Sequence, residues 1–87
     1  MRAYLPDLRQ VRALVAVVDE GSFSMAARRL QVTQSAVSHS LRDLEQSYDC
    51  KLLSRGARTS IPTEEGRIMA ERGRRAFQEL RSRLKIN

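Results

Sequence analysis

The sequence predicts a mainly helical domain: a three-helix core, a small β-hairpin and a long C-terminal helix. Three observations carry this expectation. Apolar residues recur at helical spacing between Leu8 and Val18. The stretch Phe23–Leu44 divides at Gln31-Val32 into two amphipathic segments. Two short apolar runs then flank Gly56-Ala57-Arg58, and Pro62-Thr63 opens a last helical run. Residues 1–62 form the core and hairpin on this reading, and residues 63–87 the long helix.

The first helix is expected from about Leu8 to Asp19. Asp7 caps it, Gln10 follows at capping-box spacing, and Gly21 stops it. Leu8, Val11, Leu14, Val15 and Val18 give its buried stripe. Ser22 or Ser24 caps the second helix, in which the small Ala26 and Ala27 allow close approach of a neighbour. Gln31-Val32 makes the turn, with Val32 expected to plug the space between the helices. Thr33 caps the third helix, which should end near Tyr48 with Asp49 in the left-handed region. Lys51–Arg55 and Thr59–Ile61 are strand candidates, anchored to the core by Leu52, Leu53 and Ile61. Thr63 caps the last helix, Glu64 to about Leu84, whose first-turn acids suit the helix dipole.

The third helix carries the functional signal. At about 100° per residue, Gln34, Ser35, Ser38, His39 and Arg42 fall within an arc of roughly 140°. Ala36, Val37, Leu41, Leu44 and Tyr48 fall on the other side. Gln bonds adenine bidentately, Ser reaches base or phosphate, and Arg pairs with guanine or phosphate. A helix-turn-helix with such a face on its second helix is built to enter a DNA major groove. An ordinary solvated helix face is the competing interpretation. Charge favours the first. The chain has 87 residues and a net charge of +6. The excess is +1 over residues 1–48 and +5 over residues 49–87. Lys51, Arg55 and Arg58 face no acid between Cys50 and Thr63, and Arg58 at a hairpin tip suits an adjacent minor groove.

In the last helix, Gly66, Ala70, Gly73, Phe77, Leu80 and Leu84 form a heptad-like seam, small in its first half and large in its second. An antiparallel homodimer would set small against large at both ends. The alternative is that the stripe packs on its own domain. At this length the core is thin, so help from a partner chain is expected.

Other classes find little support. The one cysteine, Cys50, cannot make an internal disulfide and reads as a reduced structural thiol, with redox sensing as the alternative. The longest apolar run, Ala13–Val18, is too short to span a membrane, and the N-terminus has no signal-peptide pattern, so a cytoplasmic, nucleoid-associated location is expected. The single histidine, His39, has only helix-surface acids near it in sequence, Asp43 and Glu45. No metal-ligand set, phosphate loop or nucleophile–base pair is present, so no enzyme activity and no cofactor are expected. The rival from a different class is a winged-helix protein-interaction module that never reads sequence.

The ordered motifs Leu8-Arg-Gln-Val-Arg, Val15-Ala-Val-Val-Asp-Glu-Gly-Ser-Phe-Ser, Ala26-Ala-Arg-Arg-Leu, Val32-Thr-Gln-Ser-Ala-Val-Ser, Leu52-Leu-Ser-Arg-Gly-Ala-Arg and Pro62-Thr-Glu-Glu-Gly resemble the N-terminal DNA-binding domain of LysR-type transcriptional regulators. The resemblance runs from about Leu8 to Leu84. It implies a winged helix-turn-helix whose long linker helix dimerises, and binding of double-stranded DNA at interrupted palindromes upstream of target genes. It implies base contacts from Gln34, Ser35, Ser38 and His39, with Arg58 in the minor groove. Ser22, Ser24, Thr33, Arg55 and Thr63 become candidates for phosphate contact, beside Arg42 from the helix face. It further implies a C-terminal domain, absent from this chain, that binds a small-molecule inducer and builds tetramers; RNA polymerase is a candidate partner. Ser35 stands where the family commonly has Pro, His39 where it has Arg, and Asp49-Cys50 where it has Gly-Val.

Overall fold

A computed structural model describes residues 7–55 and 60–84, excepting the side chain of Arg55. In chain order it contains α1 (Leu8–Glu20), α2 (Phe23–Leu30), α3 (Gln34–Tyr48), β1 (Leu53–Arg55), β2 (Ser60–Pro62) and α4 (Glu64–Leu84). This is the winged helix-turn-helix arrangement expected from the sequence.

Helix α1 is the hub, packing against α2, α3, β2 and α4. Ala13, Leu14, Val15, Ala16 and Val17 are all buried, a run that exceeds one helical stripe because neighbours cover α1 on more than one side. Leu8, expected in the stripe, is 54% exposed because it lies in the first turn, where α1 outruns its neighbours. The core is completed by Ala26 and Ala27 of α2, Val37, Leu41 and Leu44 of α3, Leu52 and Leu53 before and in the wing, and Ala70 of α4.

Short polar residues set the helix ends. The Asp7 carboxylate accepts from the Arg9 N–H at 2.8 Å, and Gly21 closes α1 at φ 74°. Ser22 rather than Ser24 caps α2, accepting from Met25 N–H at 3.1 Å. Gln31 ends α2 in the left-handed region, a conformation its sequence did not announce, while Asp49 ends α3 there as expected. Thr33 caps α3, accepting from Ala36 N–H at 3.0 Å. Val32 does not plug the interhelical space: it is 47% exposed, since the turn throws it outward and the core is filled by Ala26, Ala27 and Val37.

The hairpin is antiparallel and pairs Leu53 with Pro62, Ser54 with Ile61 and Arg55 with Ser60. It is shorter at its start than expected and includes Pro62, which a two-stranded edge tolerates. Successive side chains alternate between faces, so the register that turns Leu53 inward turns Ser54 and its partner Ile61 outward. Ile61 is 60% exposed and does not anchor the wing. A residue not singled out for this role does so. Glu45 is buried, and its Oε2 accepts from the N–H groups of Leu52 at 2.8 Å and Leu53 at 3.3 Å.

The seam on α4 divides. Gly66 lies against the Leu52 backbone, where a Cβ would come within 1.9 Å of the carbonyl oxygen. A Cβ on Gly73 would stand 2.5 Å from Cγ1 of Val11. Gly66, Ala70 and Gly73 are thus buried against their own chain and cannot face a second copy, which corrects the expected seam in its first half. Phe77 also packs on the core, leaving Leu80 and Leu84 exposed.

Two stability predictions follow from these contacts. Gly66→Ala should lower unfolding free energy by about 3 kcal/mol or prevent folding, because the obstacle is backbone; Gly73→Ala should cost nearer 1 kcal/mol, since Val11 can shift and Ala favours the helix. Glu45→Ala should cost about 2–3 kcal/mol by stranding two buried N–H groups, and Glu45→Gln, which keeps an acceptor, clearly less. Urea titration followed by circular dichroism measures both.

Candidate nucleic-acid interface

Helix α3 presents its outer face because its inner one is anchored by Val37, Leu41, Leu44 and Glu45. Opposite these, at about 100° per residue, the middle of the free face falls at His39, with Ser35, Arg42 and Gln46 beside it. All four are exposed. Gln34 is exposed at the first turn, whereas Ser38 sits at the edge and is half-buried. Ala36, expected on the core side, is exposed, because the first turn of α3 extends past the helices that cover the rest.

The N-terminal end of α3 is open. Thr33 satisfies one first-turn donor, while the N–H groups of Gln34 and Ser35 have no carbonyl within the helix to pair with. Those donors and the positive end of the helix dipole favour an anion there. The hydroxyls expected to reach phosphates differ in how free they are. Ser24 is exposed, and its Oγ lies 3.1 Å from that of Ser22. Thr63 is half-buried, and its hydroxyl donates to the Lys51 carbonyl at 2.7 Å while accepting from Gly66 N–H at 3.1 Å. It caps α4 and ties that helix to the wing, so its proton is not available to a phosphate in this arrangement.

The cations also separate into two groups. Arg29 bonds Asp19 and Glu20, and Arg67, Arg75 and Arg83 pair with Glu64, Glu71 and Glu79 on α4. Arg12, Arg28, Arg42, Lys51, Arg72 and Arg81 make no ion pair with a described residue; of these, Arg42 and Lys51 line a groove between the C-terminal half of α3 and the base of the wing, together with Gln46, Glu45 and Asp49. Lys51 and Gln46 extend the expected set; the acid-free run around Lys51 was the available signal. His39 is solvent-facing and places Nε2 3.4 Å from the Asp43 carboxylate. Arg55 belongs to β1 by its backbone, but its side chain, and Arg58 entirely, lie outside the described residues.

Cys50 is half-buried at the end of α3. Burial, reinforced by the carboxylates of Glu65, Glu45 and Asp49, pushes its thiol pKa up, which suits a protonated structural thiol rather than a reactive one. Among the described residues no helix is long and apolar enough to cross a membrane, and no group of three or more His, Cys, Asp or Glu side chains could hold a metal ion.

Residues 8–67 match the family model described as the bacterial regulatory helix-turn-helix protein, lysR family. An uncharacterized HTH-type transcriptional regulator, YfeR, of Shigella flexneri is 41% identical over 78 residues, which is 90% of this chain and 25% of that protein. The SDS degradation transcriptional activation protein of a Pseudomonas species is 42% identical over 69 residues, covering 79% of this chain and 22% of that protein. The chain thus spans about a quarter of the length of these relatives. A crystal structure of the BenM DBD in a complex with catB site 1 DNA superposes with a TM-score of 0.86 at 31% identity, covering 92% of this chain and 89% of that one. The relatives are transcriptional regulators, not enzymes. With its sequence, its winged helix-turn-helix fold and the polar outer face of α3 all in agreement, this chain belongs to the LysR family of bacterial regulators and is a DNA-binding domain of that type.

Proposed function

We propose that this chain reads duplex DNA as a homodimer, with α3 in the major groove of each half-site and the wing arginine Arg58 in the adjacent minor groove. The observation that carries the proposal is the outer face of α3: an open helix N-terminus followed by exposed Gln34, Ser35, His39 and Arg42. Gln34, Ser35 and His39 are assigned to bases, and Ser38 to a base edge approached from the side of the helix. Ser22, Ser24, Thr33, Arg42 and Arg55 are assigned to phosphates. The DNA complex formed by the similar BenM DBD supports the choice of duplex DNA.

The dimer surface differs from the heptad seam. Ile68 (39%), Leu80 (47%) and Leu84 (62%) are the exposed large apolar residues of α4, and with Ala76 they fall on one row of four-residue spacing that also holds Arg72. Rows of this kind interlock between helices crossing at about −50°. An antiparallel crossing centred on Ala76 brings Leu80 of one copy beside Arg72 of the other, whose aliphatic stem can cover it, with Ile68 and Leu84 at the margins of the contact. A groove of about 520 Å³, lined by Leu8, Ile68, Met69, Ala76 and Phe77 among others, lies beside this row and can take the apolar end of a second α4. Small-molecule inducer binding and tetramer assembly belong on this proposal to a C-terminal effector domain outside residues 1–87, and RNA polymerase is a further partner of a full regulator.

Selection of bound duplexes from a random library, followed by fluorescence anisotropy at two salt concentrations, tests the proposal. An interrupted palindrome whose advantage over scrambled DNA survives salt is expected; equal binding to all sequences that vanishes with salt would overturn it. On the selected duplex, Gln34→Ala should cost about 1–3 kcal/mol and relax preference at one base pair, while Arg42→Ala should weaken all duplexes alike and reduce the salt slope by about 1. Leu80→Asp with Leu84→Asp should shift the protein to monomer in analytical ultracentrifugation and reduce affinity for a two-half-site duplex toward that for one half-site.

A further inference from the structure

We propose that the Asp19–Arg74 ion pair is a positioning contact that fixes the direction of α4 on the DNA-reading head, and so sets the half-site spacing that the dimer accepts. This rests on the dimer proposed above. Asp19 and Glu20 occupy the last turn of α1, where negative charge opposes the helix dipole, and no basic residue accompanies them there. Their partners come instead from elsewhere in the fold. Arg74 of α4 bonds Asp19 Oδ1 across 55 residues of sequence, and Arg29 from the last turn of α2 bonds Asp19 Oδ2 at 3.1 Å and Glu20 at 3.4 Å. Three helices therefore meet on one carboxylate. Partial desolvation opposes its charge, but the hydrogen bonds and charges of Arg74 and Arg29 outweigh that and hold the Asp19 pKa below its ordinary value. The anion persists across neutral pH.

The place of this contact on α4 gives it leverage. Gly73, the neighbour of Arg74, lies where α4 packs tightly on α1, against Val11 and Val15. On the N-terminal side, Gly66 is held against Leu52. On the C-terminal side an open groove of about 700 Å³ separates part of α4 from α1 and α2, with Val15, Leu30, Phe77 and Leu80 in its walls, and Asp19, Arg29 and Arg74 also line it. Side-chain packing is thus incomplete where α4 carries Leu80 and Leu84. Among the described residues the other ion pairs of α4 side chains, Arg67–Glu64, Arg75–Glu71 and Arg83–Glu79, are local to the helix and do not orient it. The proposed dimer contact is centred on Ala76, roughly 4.5 Å of helix beyond Gly73, so a swing of α4 about this crossing turns one DNA-reading head relative to the other. Half-site spacing changes in steps of one base pair, ~3.4 Å of rise, so angular freedom between the heads becomes visible as tolerance in spacing. The pair is partly exposed, with side chains 38% and 29% accessible, so its expected contribution to overall stability is small. Its effect on direction is separable from folding for that reason.

The test uses the 87-residue chain and duplexes carrying the two selected half-sites at a series of spacings, with a single half-site as control. Wild type should show one optimum and lose roughly tenfold for one base pair added or removed, because the DNA must deform to restore register. Arg74→Gln should flatten this to less than about threefold while leaving single-half-site affinity and melting temperature near wild type. Asp19→Asn should broaden the profile similarly, and the double variant no more than either single one. An unchanged profile in folded Arg74→Gln, additive effects in the double variant, or a uniform loss at every spacing together with the single half-site would overturn the proposal. A wild-type profile with no optimum would overturn the dimer reading itself, and this inference with it.

Discussion

The backbone of Leu52 is the point at which the parts of this domain are joined. Its N–H is held by the buried Glu45 carboxylate of α3, its carbonyl accepts the Thr63 N–H at 3.0 Å, and the same carbonyl lies against Gly66 of α4. Its side chain is fully buried. Helix α3, the wing and the long helix therefore share one peptide neighbourhood. Because the contacts are hydrogen bonds and a backbone close approach rather than side-chain packing alone, they specify position as well as affinity. A domain this small needs such a junction, since the apolar core between α1, α2 and α3 does not by itself place the wing or α4.

Packing also sorts the charged side chains. Much of the basic character of α4 is answered by acids on the same helix or on α1, through local pairs of modest energetic value. The cations near α3 and the wing base, Arg42 and Lys51, have no such partner among the described residues. Net charge alone does not reveal this division, because Arg75 and Arg42 count equally in a total.

The helices were largely legible in the sequence, and for local reasons. Asp7, Ser22 and Thr33 are short acceptors at helix starts, Gly21 suits the left-handed stop of α1, and Glu64 and Glu65 mark the first turn of α4. The outer face of α3 was legible too, since a helical wheel needs only the residue order. Errors arose where solvent exposure depends on where a neighbouring element ends. Ala36, Val32 and Leu8 are exposed because they lie at helix ends or in a turn, beyond the reach of the surfaces expected to cover them. Ile61 faces out because the hairpin register, which periodicity within one strand does not define, pairs it with Ser54.

The sequence by itself determined the element order, the caps and the polar face of the third helix, because each follows from interactions among residues a few positions apart. Tertiary structure alone decided which half of the α4 stripe is used within the chain, the role of Glu45 as the acceptor for Leu52 and Leu53, and the meeting of Arg74 with Asp19. In the first case, small residues at seam spacing are equally suited to a partner helix and to the chain's own backbone; only the placement of α4 against α1 and Leu52 selects the second. In the others, a carboxylate on a helix looks the same in sequence whether it meets water or a distant donor. Its role is set by through-space contacts across sequence separations of 7 and 55 residues, which helical periodicity does not encode.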